Sequence, residues 1–152
     1  MDVSPRQNPA YRPSLSTEAA ARHRRIAWSI VLAIYAGAIF ALSSFSIALA
    51  RPGVVPFRID LAFHAAEFAV FYLLAWRATG RSVLAIVLSV VYAGTDELHQ
   101  AFVPARTASA IDFGCDVAGA LLAAFVTAGI ARMQLLGRFC GLILARRDKE
   151  RG

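Results

Sequence analysis

From residue 26 to residue 50 the chain carries no charged side chain, a longer stretch than the roughly 20 apolar residues, each rising about 1.5 Å, that carry a helix across the hydrocarbon core of a bilayer. Lipid leaves an unpaired backbone amide nowhere to turn, so a run like this folds as a transmembrane helix. Arg22 to Arg25 and Ala48-Leu49-Ala50 resemble the flanks of a cleaved signal peptide. The run is longer than the usual apolar core of such a peptide, about 7–15 residues, so a retained helix is expected. Composition agrees: 58% of the 152 residues are hydrophobic and 17% charged, against roughly 45–50% and about 25% in soluble domains.

The remaining apolar runs are informative because they are short. Residues 61–76 are bracketed by Asp60 and Arg77 and contain His64 and Glu67; residues 82–95 span a bilayer only if extended to 102, which takes in Asp96, Glu97, His99 and Gln100. A fourth run, 111–131, is long enough only with Asp112 and Asp116 in its first turns. Three length arguments thus force polar residues into membrane-spanning helices.

Charge sets the orientation. Of the 16 basic residues, all but Arg51, Arg58 and Arg106 lie in the two tails or at Arg77 and Arg81. Basic flanks around apolar runs, with no patch interleaved with stacking aromatics, exclude a nucleic-acid-binding domain. They predict an all-α, polytopic membrane protein, a four-transmembrane-helix bundle of the inner (plasma) membrane with both termini cytoplasmic. Trp28 and Trp76 then fall together at the cytoplasmic interface. The expected organisation is a disordered basic tail over 1–25, the bundle over 26–131, and an interfacial amphipathic helix with a basic tail over 132–152. Cys115 and Cys140 form no disulfide framework, and no internal repeat is visible.

In such a bundle the start of helix two, the end of helix three and the start of helix four share the outer face. Asp60, His64 and Glu67 recur at i, i+4, i+7, one stripe of a helix. Asp112, Asp116 and Gly119 repeat that spacing; Asp96, His99 and Gln100 form a patch, with Glu97 about a quarter-turn away toward a different neighbour. A charge in hydrocarbon costs about 2.5–3.5 kcal/mol even on the lenient scale, and such residues mark sites or pathways. So many carboxyl groups cannot all ionise without compensating cations, for which Arg106, with Arg51 and Arg58, a divalent metal ion or shared protons are the candidates. Structural roles stand beside the functional ones. Ser109 and Asp112 have the spacing of a capping box. Glu67 and Arg106 can pair to hold helices together, either histidine can be a hydrogen-bonded structural group, and Gly119, Ala120 and Ala123 make a close-packing surface. The other halves of the spans carry essentially no polar groups, which counts against proton-coupled transport through the bundle.

Two segments resemble the signatures of the VanZ-like membrane family: Asp60-Leu61-Ala62-Phe63-His64-Ala65-Ala66-Glu67-Phe68 after Val55-Pro56-Phe57, and Asp96-Glu97-Leu98-His99-Gln100-Ala101-Phe102-Val103-Pro104-Ala105-Arg106 followed by Ser109, Asp112, Asp116 and Gly119. The resemblance covers about residues 26–130, with Ala105 where glycine is commoner and Asp116 where asparagine often occurs. It implies a polytopic cell-envelope protein, the founding member being associated with resistance to the glycopeptide antibiotic teicoplanin. The order arginine, five residues, Asp112, three residues, Asp116 looks like the third motif of the type 2 phosphatidic-acid phosphatases, with Asp112 in place of their nucleophilic histidine and their Pro-Ser-Gly-His motif absent.

Arginine suits bidentate phosphate binding, and the N-terminus of the fourth helix favours an anion. The expected activity is hydrolysis or transfer of a phosphate group on a membrane lipid or lipid-linked envelope substrate. Arg106, Gln100 and Ser109 bind it; His64, Glu67, His99, Asp112 and Asp116 are the catalytic candidates; Asp60, Asp96 and Glu97 are candidate ligands for a divalent cation. The alternative is a non-enzymatic lipid or teicoplanin binder. Substrate, metal and oligomeric state are left open by the residues.

Overall fold

The computed structural model describes residues 15–44, 57–104, 106 and 108–149. These form four helices and, among the described residues, no strand: α1 (Leu15–Ser44), α2 (Phe57–Thr79), α3 (Ser82–Gln100) and α4 (Ala110–Lys149). Three of them contain stretches long and apolar enough to cross a membrane, Thr17–Ser44, Ser82–Gln100 and Ala110–Phe139. The exception is α2, diluted by His64, Glu67 and Arg77.

Helix bounds differ from expectation at both ends of the chain. α1 begins at Leu15, so residues 15–25, expected within a disordered tail, are helical. Ala19, Ala20 and Ala21 are strong helix formers, and Glu18 in the first turn complements the helix dipole. The rest of the expected tail lies outside the described residues. α4 runs unbroken through residues 131 and 132, where a separate interfacial helix was expected, because no proline interrupts its Leu-, Ala- and Arg-rich sequence. α3 ends at Gln100 rather than 102, and the next amides turn back on it: Ala101 N–H donates to the Glu97 carbonyl, Phe102 to His99 and Val103 to Gln100. Between α2 and α3 the chain reverses at Gly80, whose φ of 69° is open to glycine but costly for other residues, and whose N–H donates to Trp76 O at 2.8 Å.

α2 and α3 form the centre. Each packs on all three other helices, while α1 and α4 flank them without touching among the described residues. The interior is built of small and aromatic groups: Ala75, Ala85, Ala93 and Ala120 are fully buried with Phe68 and Tyr72. Phe71 stacks on Tyr92 with ring centroids 4.8 Å apart, and the Tyr92 hydroxyl donates to the Ala36 carbonyl on α1. Polarity is inverted relative to a soluble bundle. Ile34, Val83 and Phe125 stand exposed on the outside, whereas Asp116 and Ser89 are buried; lipid as solvent requires this arrangement.

At the end opposite the polar cluster, Trp28 and Trp76 converge on Arg77, whose guanidinium lies 5.6 Å from each ring centroid. This is the expected clustering of the two tryptophans. A little further in, the buried Tyr72 hydroxyl shares hydrogen bonds with Ser82 Oγ at 2.8 Å and Thr127 Oγ1 at 3.4 Å, tying α2, α3 and α4 together. The expectation that this half lacks polar groups is therefore corrected. Ser82 and Thr127 satisfy the hydroxyl of the buried Tyr72, as a buried polar group requires, and serve as interhelical struts.

Candidate functional site

The described members of the three expected clusters meet at one end of the bundle, and each of these side chains has a distinct place there. A cavity of about 530 Å³ opens between α1, α2 and α3, with Arg106 at its edge. Its polar walls are His64 and Glu67 from α2 and Asp96 and Gln100 from α3. The i, i+3 spacing of His64 and Glu67 puts both on one face. Leu42, Phe63 and Val70 supply apolar wall.

Asp116 stands behind this wall. Its side chain is 0% exposed, and its Oδ1 lies 3.1 Å from His64 Nδ1, an ion pair when the imidazole is protonated. A carboxylate can only accept, so the neutral imidazole keeps its proton on Nδ1 and has Nε2 as the basic nitrogen. The backbone allows this approach because Gly119, one turn on, is packed against α2: a Cβ there would fall 2.7 Å from Ala65 Cα and overlap the Ala65 carbonyl. Gly119 and Ala120 thus form the anticipated close-packing surface.

Four other candidates, Glu97, His99, Ser109 and Asp112, do not line the cavity. Glu97, a quarter-turn from Asp96, reaches into the α3–α4 connection, where its Oε2 accepts the Ser109 N–H at 2.7 Å. Ser109 Oγ in turn accepts the Asp112 N–H at 3.2 Å. These bonds make Ser109 the N-cap of α4, with Glu97 taking the amide that the acid of an ordinary capping box would take. His99 turns the other way, stacking on Phe40 with centroids 4.1 Å apart while its Nε2 lies 2.9 Å from Ser44 Oγ on α1. Asp112 and Ser109 sit at the start of α4, and His99 belongs to the α1–α3 contact.

Among the described residues Glu67 and Arg106 form no ion pair, so the expected strut between them is absent. Asp60 lies outside the residues whose side chains are described. Of the other candidate cation ligands, Asp96 Oδ2 accepts from Gln100 Nε2 at 2.8 Å and Glu97 is engaged at Ser109. The described residues contain no group of three His, Cys, Asp or Glu side chains placed to hold a metal ion. Three buried carboxylate oxygens, Asp96 Oδ1, Glu97 Oε1 and Asp116 Oδ2, have no hydrogen-bond partner among the described residues. Orphaned acceptors of this kind are costly, which is why they mark sites awaiting a donor.

Helix α1 also contributes to the site, which its uninterrupted apolar run does not predict. Tyr35 and Ser43 line the cavity, and the Tyr35 hydroxyl donates to the Glu67 carbonyl at 3.1 Å. The available signal was the presence of Tyr35, Ser43 and Ser44 in a stretch with no need of polar groups for its length.

The model of one protein family, described as VanZ/LLP1, matches residues 12–132. No curated protein and no solved structure matches the chain.

Proposed function

Since the chain belongs to the VanZ/LLP1 family, we propose that it is a membrane protein whose polar cavity takes the phosphate headgroup of a lipid or lipid-linked envelope substrate and hydrolyses or transfers it. In this reading all four helices cross the plasma membrane, α2 shielded by its neighbours and both termini cytoplasmic. The cavity then opens just below the outer surface, and the cluster of Arg77, Trp28 and Trp76 lies at the cytoplasmic interface.

One observation supports the chemistry above the rest: the fully buried Asp116 holding His64 at the wall of a cavity that also contains Arg106. Arg106 offers a bidentate grip on a phosphate. With Nδ1 donating to Asp116, His64 is oriented to take a proton from water through Nε2 as general base. The water oxygen bonds to phosphorus, the bond to the leaving oxygen breaks, and the proton returns to that oxygen through His64. An acceptor alcohol in place of water gives transfer by the same steps.

The test is headgroup or phosphate release by the purified, reconstituted chain from a panel of lipid phosphomonoesters and diesters. Release is expected from at least one member, lowered about 100-fold by Arg106→Ala, the usual loss when a transition-state charge clamp is removed. Retention of the lipids without turnover would support the non-enzymatic binder, teicoplanin included among its ligands. Turnover unchanged in Arg106→Ala would overturn the assignment of that residue.

A further inference from the structure

We infer that the headgroup taken by this cavity carries a primary ammonium group beside its phosphate, the ammonium seated against Asp96 and Glu67 and the phosphate on Arg106. The inference rests on the lipid-headgroup reading and deepens it.

Among the described residues, the cavity walls carry Glu67 and Asp96 but a single guanidinium, Arg106. His64 does not redress the balance, because Asp116 already faces it. A purely anionic headgroup would answer Arg106 and meet two carboxyl groups with nothing to offer them. Asp96 is only 5% exposed; one of its oxygens accepts from Gln100 and the other, Oδ1, has no partner among the described residues. A buried carboxylate oxygen left in that state calls for a donor, and a charged donor relieves it most. A zwitterionic headgroup supplies both halves at once.

The donor requirement selects among zwitterions. A primary ammonium has three N–H groups, whereas a trimethylammonium has none and is ordinarily recognised by a cage of aromatic rings. Among the described residues, the aromatic side chains lining this cavity are Tyr35 and Phe63, and the Tyr35 hydroxyl is engaged with the Glu67 carbonyl. Leu42 and Val70 beside the polar wall suit the acyl-bearing part of a lipid better than a free, water-soluble phosphoester.

The experiment is a set of Kd measurements on the full chain in detergent with dihexanoyl phosphatidylethanolamine, phosphatidylcholine and phosphatidylglycerol, and with free phosphoethanolamine. Phosphatidylethanolamine is expected to bind at least about tenfold more tightly than the other two lipids, the effect of one charge-assisted contact. Asp96→Asn, or Glu67→Gln should that variant not fold, is expected to erase the preference, while Arg106→Ala weakens all three lipids alike. Equal binding of the three lipids, still weakened by Arg106→Ala, would overturn the ammonium site and leave the phosphate reading standing. A preference for phosphatidylglycerol would do the same in favour of hydroxyl donors. Free phosphoethanolamine binding as tightly as its lipid would overturn the lipid source. Failure of every lipid to bind would overturn the headgroup reading and this inference with it.

Discussion

Gly119→Val is expected to leave little folded protein in the membrane fraction, and Gly119→Ala to lower thermal stability in detergent by several degrees. The glycine is buried where α4 crosses α2, and any Cβ at that position overlaps the Ala65 backbone. Backbone atoms cannot swing aside as a side chain can. The two helices must move apart, and overpacking of this kind costs about 3 kcal/mol or more when a branched side chain is forced in. The gain in intrinsic helix propensity from replacing glycine, about 1 kcal/mol, is smaller than that cost. In lipid there is no hydrophobic drive between helices to restore the contact. Separating α2 from α4 also separates His64 from Asp116, so any Gly119→Val protein recovered should be inactive. Gly129→Val on the same helix, where a Cβ meets nothing within 4 Å, is the control expected to fold. A stable Gly119→Val protein would contradict the described crossing of α2 and α4.

The second large effect falls on turnover. Asp116→Leu keeps the volume but removes the acceptor that faces Nδ1, whereas asparagine can still accept there through its carbonyl oxygen; nothing then holds the imidazole proton on Nδ1. The tautomer with its proton on Nε2 is no longer disfavoured, and the nitrogen needed as base is then occupied. Turnover by the reconstituted protein is expected to fall about 10²–10⁴-fold, the range for loss of general base catalysis, with KM nearly unchanged. His64→Ala should fall as far, and the double variant little further, because the two residues act as a unit. Asp116 here is a positioning residue, so the division between turnover and KM is the discriminating measurement. A merely structural role would lower the amount of active protein while leaving the pH profile of the remainder as it was. Loss of the positioned base should reshape that profile.

Much of the site could be anticipated from the residues because length is an unforgiving constraint. The runs at 61–76 and 82–95 are too short to span without their polar neighbours. Antiparallel packing of helices two, three and four then brings those neighbours to one end, where the cavity is found. The pairings within the cluster were beyond reach. Helical phase gives the face on which a residue sits, but the rotation of each helix against its neighbours decides whether that face meets the cavity, a loop or another helix. His99 and Gln100 are adjacent in sequence, yet His99 meets Ser44 and Gln100 meets Asp96. Glu97 was expected to serve a different neighbour from Asp96, and it braces Ser109. The contribution of α1 went unread for the opposite reason: a run so plainly sufficient to span drew no attention to Tyr35 and Ser43. The helix ends at Leu15 and Lys149 reflect intrinsic propensity carrying helix past the apolar runs.

The most direct measurement of the central claim, a lipid phosphate held in the cavity by Arg106, is mass spectrometry of lipid copurified with the wild-type chain and with Arg106→Ala after identical delipidating washes. Phosphate-bearing lipid should remain with the wild type and be largely lost from the variant. Washed wild-type protein free of such lipid, or a variant that retains it equally, would contradict the claim.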